Sequence, residues 1–175
     1  MDESAVERLR RVAGTGESPD GSVRVTLSGQ GAPKVEFAPG ALRQHNDRSL
    51  GIAVAAALTE AISDRQRTVE AVLEAVRDGP PRPDVPGTRV MQRRELFDGA
   101  VGAIAVSAIS PRGQVTVSLR AGGEIDVQVR QGTLALVGVG EAGLAAEVAA
   151  ATSAALHERN ARILQIHKDV YRTGR

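Results

Sequence analysis

Apolar and polar residues alternate with two periods along this chain, and the switch between them happens twice. Val23, Val25 and Leu27 alternate with Arg24 and Thr26, the period of two that marks a half-buried strand. Ser28-Gly29-Gln30-Gly31 supplies turn residues and Lys34-Val35-Glu36-Phe37 alternates again, so the pair predicts a hairpin. Past Pro39 and Gly40 the period lengthens. Leu50, Val54, Leu58, Ala61, Ile62, Val69, Val72, Leu73 and Val76 recur at three- and four-residue spacing, the apolar stripe of one long helix. Asn46, Asp47 or Ser49 can accept from the free amides at its start. The grammar then returns. Val115, Val117 and Leu119, the turn Ala121-Gly122-Gly123, and Ile125, Val127 and Val129 predict a second hairpin. Leu144, Val148, Ala151, Leu156, Ile163, Ile166 and Val170 predict a second long helix. Residues 102–109 read as a further strand ahead of the second hairpin, and residues 12–16 as a weaker one ahead of the first. Asp2 to Val12 is a short amphipathic helix, with Val6, Leu9 and Val12 on one side.

The two stretches align residue by residue. At an offset of 92, Ser18, Pro19, Gly21, Val23, Val25 and Leu27 meet Ser110, Pro111, Gly113, Val115, Val117 and Leu119. Beyond the next loop the offset becomes 94, where Leu50 meets Leu144, Val54 meets Val148, and Asp64-Arg65 meets Glu158-Arg159. A two-residue insertion in that loop accounts for the change. An internal repeat of this kind is the most informative feature of a sequence that has one. Between the copies, residues 79–87 hold four of the chain's eight prolines and read as a stiff extended linker. The expected architecture is α+β: two tandem units, each a small antiparallel sheet of about three strands followed by a long helix. The first unit covers residues 1–78, a Pro-rich linker and connecting segment covers 79–97, and the second unit covers 98–175. A unit this small hides a small share of its surface alone. The copies are therefore expected to pack on each other as an intramolecular pseudo-dimer, with Ala-rich helix faces allowing close approach.

Composition removes several kinds of chemistry. The chain has 175 residues, 42% apolar and 25% charged, a globular balance. Aromatics are limited to Phe37, Phe97 and Tyr171, too few for a mechanism that stacks bases or sugars on rings. Cysteine is absent, which excludes disulfides, thiolate catalysis and zinc ribbons. His45, His157 and His167 do not form a ligand spacing, and no Ser/His/Asp spacing or acid pair suggests a catalyst. The expectation is a non-enzymatic cytoplasmic protein with no cofactor and no metal; the acidic start, Met1-Asp2-Glu3-Ser4, is unlike a secretory leader. Net charge is +1, yet residues 1–87 carry 11 basic and 13 acidic side chains while residues 88–175 carry 11 and 8. Twenty of the 22 basic residues are Arg, a bias that codon usage can produce and that also suits phosphate binding.

The segments 21–31 and 35–42, the Ala-rich helix beginning near Ala53, and their second copy together resemble the YbaB/EbfC nucleoid-associated proteins of bacteria. The resemblance covers roughly residues 1–78 and 98–172, and it rests on small and β-branched residues, which specify fold more than chemistry. It implies dimers that bind duplex DNA through protruding helices, without catalysis or cofactor. The chain departs from the family pattern in carrying two copies. Arginines cluster where such helices are expected: Arg8, Arg10 and Arg11 on the first, Arg89, Arg93 and Arg94 before the second hairpin, and Arg159, Arg162 and Arg172 on the last. With the resemblance, these nine are the candidate contacts to the DNA backbone, where phosphate neutralisation releases counterions. Taken singly, each reads first as part of a solvated helix face, as the i,i+4 pair Glu158–Arg162 illustrates; it is as a set that they point to phosphate. A protein-interaction module, such as an accessory of an actinobacterial secretion system, is the alternative function, and a homodimer or partner protein stays open beside DNA. Gly138-Val139-Gly140-Glu141-Ala142-Gly143 matches a dinucleotide fingerprint literally, but apolar helical spacing continues to Val170 and leaves no second parallel strand. It reads as a loop capping a helix.

Overall fold

A computed structural model describes residues 11–29, 33–77, 88–136 and 140–172. The first half runs β1 (Gly14–Glu17), β2 (Val23–Leu27), β3 (Lys34–Phe37), a single turn α1 (Ala41–Gln44) and the long α2 (Asp47–Arg77). The second runs α3 (Thr88–Gly102), β4 (Val106–Ile109), β5 (Val115–Leu119), β6 (Ile125–Val129) and the long α4 (Glu141–Arg172). Two antiparallel three-stranded sheets result, ordered β1-β2-β3 and β4-β5-β6. The strand expected over residues 102–109 is shorter because α3 holds its first residue, and residues 88–97 of the expected connecting segment are helical. The opening helix over Asp2 to Val12 lies outside the described residues except at its end.

The matching turns fold alike. In each, a buried serine hydroxyl accepts from the amide five residues on: Val23 to Ser18 at 2.9 Å and Val115 to Ser110 at 3.0 Å. Gly21 and Gly113 follow at φ 70° and 68°, the left-handed region where a side chain is disfavoured. The strand registers repeat as well, with Val25 opposite Val35 and Val117 opposite Val127.

Period two decides which face is buried, and both sheets turn it to one shared core. Val23, Val25, Leu27, Val115, Val117 and Leu119 are buried in a single cluster with Leu50, Val54, Leu58, Leu144 and Val148. Each long helix covers strands of both halves: α2 lies on β1, β2 and β6, and α4 on β3, β4 and β5. At its closest point α2 rides directly on backbone. A Cβ on Gly14 would overlap the Ala61 carbonyl, one on Gly16 the Ala57 carbonyl, and one on Gly51 the Val127 carbonyl. Two carboxylates of α2 also cover the outer edge of β1. Asp64 accepts from the Thr15 amide at 3.0 Å and Glu60 from the Glu17 amide at 2.7 Å, which satisfies an edge that would otherwise be open to pairing. The Thr15 amide, followed by Arg67, holds the Asp64 carboxyl below the usual carboxylate range.

The helix starts tie the halves together reciprocally. Asn46 caps α2, accepting from the Ser49 amide at 2.8 Å while the Ser49 hydroxyl accepts from the Asn46 amide at 3.0 Å. That leaves Asp47 to reach out of its own half: it accepts from the Gly132 amide at 2.7 Å and the Leu134 amide at 3.0 Å, beyond β6. Glu141, which opens α4, accepts from the Gly40 amide at 2.7 Å, beyond β3. Gly40 and Gly132 are 92 residues apart, Asp47 and Glu141 are 94 apart, and both glycines sit at positive φ.

Candidate nucleic-acid interface

The structure sorts the nine arginines into three places. Arg8 and Arg10 lie outside the described residues, and Arg11 is exposed just before β1. The others fall on α3 and α4, which pack as an antiparallel pair. Phe97 meets His167 and Tyr171 at ring-centroid distances of 5.9 and 6.0 Å, while Val101 and Gly102, further along α3, reach a cleft lined by Arg159. Residue numbers therefore rise along α3 as they fall along α4. Arg93 lies one turn before Phe97, about 6 Å along the axis, which carries Arg93, Arg94 and the helix position of Arg89 toward the end of α4 that holds Arg172. Four of the predicted positions thus lie toward this end of the helix pair.

Their electrostatic state differs from residue to residue. Arg93 is exposed, and among the described residues it has no ion pair. Arg94 is exposed and reaches Asp98 at 3.8 Å, a loose surface pair worth little. At the other end of the helix pair, Arg162 is committed: it donates to Glu158 and to the Ala105 carbonyl, each at 2.6 Å. The expected i,i+4 pair thus forms, and Arg162 also ties α4 to the start of β4. Arg159 is partly buried in the cleft between the long helices rather than spread on an outer face. The structure does not bring Arg159 and Arg162 to the Arg93 end.

Two further groupings were not among the expected site residues. Arg65, the repeat counterpart of Arg159, lines the same cleft; the Asp64-Arg65 match to Glu158-Arg159 was the available signal. The other is a cluster of Asp20, Ser18, Ser22, His45 and Ser49. His45 Nε2 lies 3.1 Å from Asp20 and 2.9 Å from the Ser22 hydroxyl, and its Nδ1 lies 3.2 Å from the Ser49 hydroxyl. Although Ser, His and Asp meet here, Ser22 is 4% exposed and its hydroxyl donates to Asp20 at 2.7 Å. The cluster fastens the β1–β2 turn to the start of α2 and leaves a substrate no access to the hydroxyl.

Among the described residues no group of His, Asp and Glu could hold a metal ion, and no helix is long and apolar enough to cross a membrane. At the fingerprint-like segment, α4 runs on to Arg172 with no strand after it among the described residues. Residues 1–80 match the model of the YbaB/EbfC DNA-binding family. No curated protein matches the chain.

Proposed function

We propose, from the match of residues 1–80 to the YbaB/EbfC DNA-binding family, that this chain is a non-enzymatic nucleoid-associated protein that binds duplex DNA with little sequence preference. The supporting observation is the family match, and the exposed Arg93 and Arg94 on α3 supply groups suited to phosphate. Contacts of this kind position a protein on the backbone and carry no base information. The chain is read as two tandem units, 1–78 and 98–175, joined by 79–97 and packed as an intramolecular pseudo-dimer. The reciprocal Asp47–Gly132 and Glu141–Gly40 bonds support that reading, since an isologous contact is one in which i meets j and j meets i. One chain would then present what a two-fold dimer presents.

The test is a gel-shift titration against a duplex of arbitrary sequence at several salt concentrations. With roughly five phosphates neutralised, the log–log slope is about −4 to −5, at ~0.9 per contact. Replacing Arg93 and Arg94 together by Gln should flatten that slope by about 2 and weaken binding equally on unrelated sequences. A salt-independent titration rejects the reading. A second reading, a module that holds a partner protein, is favoured by one observation: Met91, Leu96 and Leu164 are 54%, 66% and 62% exposed on α3 and α4, beside the arginines. Salt-independent DNA binding together with saturable uptake of a partner helix would move the assignment there.

A further inference from the structure

We propose that the cleft between α2 and α4 is a binding site for a small phosphomonoester, a role independent of whether the chain binds DNA. The cleft has a volume of about 570 Å³ and is bordered at one side by Leu27, Ser28, Gly29 and Pro33. Small-ligand sites commonly fall between about 300 and 1,000 Å³, with an apolar lining and a few convergent polar groups. Leu27, Ile62, Val69 and Leu156 supply the apolar wall here.

Charge identifies the occupant. Arg65 comes from α2 and Arg159 from α4, and both are partly buried. Among the described residues neither makes a side-chain hydrogen bond or ion pair, although their helix neighbours do: Asp64 is taken by Thr15 and Arg67, and Glu158 by Arg162. Glu70 is the single carboxylate among the described lining residues, and it is exposed. A guanidinium partly withdrawn from water without an acceptor loses some hydration, and two lining one cleft also repel. An anion between them relieves both. Two guanidinium forks offer more donors than a carboxylate can accept, whereas a phosphomonoester presents three terminal oxygens. Gln66 and Asn160, the next residue on each helix and again a pair at offset 94, add amide donors and acceptors for the ester's organic part. A nucleoside monophosphate and a sugar phosphate share this chemistry.

Isothermal titration at constant ionic strength tests the proposal, using adenosine 5′-monophosphate, ribose 5-phosphate, inorganic phosphate and adenosine. One-to-one saturable binding of at least one ester is expected, at least tenfold tighter than adenosine or inorganic phosphate. A tenfold preference for the nucleotide assigns the apolar wall to a base; equal affinity of the two esters assigns the site to sugar phosphates. Arg65→Gln and Arg159→Gln should each weaken binding at least tenfold, with circular dichroism checking that the fold is kept. Arg65→Lys, which retains charge without the fork, gives an intermediate loss and serves if Arg65→Gln does not fold. Absence of saturation, unchanged affinity in these variants, or inorganic phosphate binding as tightly as the esters would overturn it. Because Arg65 is not among the proposed DNA contacts, an Arg65 variant that loses ester binding and keeps its gel shift separates the two activities.

Discussion

Asp20 shows how much a single side chain can do inside a turn. Its carboxylate accepts from the Ser18 hydroxyl at 2.6 Å, the Ser22 hydroxyl at 2.7 Å and the Ser22 amide at 3.1 Å. These bonds, the Ser18 hydroxyl first, hold its pKa far below the ordinary 3.8, with a smaller contribution from His45. A carboxylate depressed in the folded state stabilises the fold fully above its unfolded pKa, and that contribution is lost as pH falls toward the folded value. Stability of the wild type should therefore decline as pH drops below about 4, over and above the general acid effect, because the unfolded chain takes up a proton at Asp20 that the hydrogen-bonded carboxylate of the fold resists. Asp20→Asn should destabilise at neutral pH and lose that part of the acid slope; chemical denaturation from pH 7 to pH 2.5 measures both. A variant that keeps the full slope would show that the titration belongs elsewhere. The turn was legible in Ser18-Pro19-Asp20-Gly21, but the arrival of His45 from 23 residues away was not, since turn chemistry is local and the contact depends on how α1 returns to the sheet.

At the level of elements, alternation and helical spacing located both hairpins and both long helices, because each pattern reports a face turned from water. The patterns do not say what covers that face. Nothing in Val127 or Val35 reveals that α2 would cross onto β6 and α4 onto β3. The weak strand at Gly14 and Gly16 illustrates the difference. Its glycines lower strand propensity, yet they are what allows the α2 backbone to lie against β1, with Ala57 and Ala61 on the helix side. The second half carries Val106 and Ala108 at the matching positions, so its helix cannot repeat that approach. Gly16→Ala is consequently expected to cost about 1–3 kcal/mol, the range for overpacking, while Ala108→Gly costs about 0.5–1 kcal/mol through strand entropy. Urea denaturation of the two variants checks the asymmetry, and equal losses would contradict it. The arginine placements were legible to the same degree: the helices that bear them were readable, but not that Arg162 would turn inward to the Ala105 carbonyl or Arg159 into a cleft.

The molecule as a whole behaves as one body only if the contacts between its halves are energetically coupled to folding. Its core is a single cluster drawn from both sheets, and in such a core neither half keeps its apolar face dry once the other leaves. One cooperative unfolding transition is expected, reported alike by circular dichroism and by hydrogen exchange at β2 and β5. Asp47 and Glu141 make the argument sharper. As helix-start acids they would each contribute only a modest dipole term in a half that folded alone. Here each instead accepts from a backbone amide of the other half, so Asp47→Ala should cost about 1–2 kcal/mol, typical of a hydrogen bond to a charged group lost from a partly exposed site. Glu141→Ala should behave similarly. The two losses should add in the double variant, since the contacts share no residue. The outcome that would break this picture is a biphasic melt in the double variant with each phase near wild-type steepness, because it would mean that the halves part without unfolding. A unimodal melt shifted by the sum would instead tie the reciprocity of these two bonds to the stability of the entire chain.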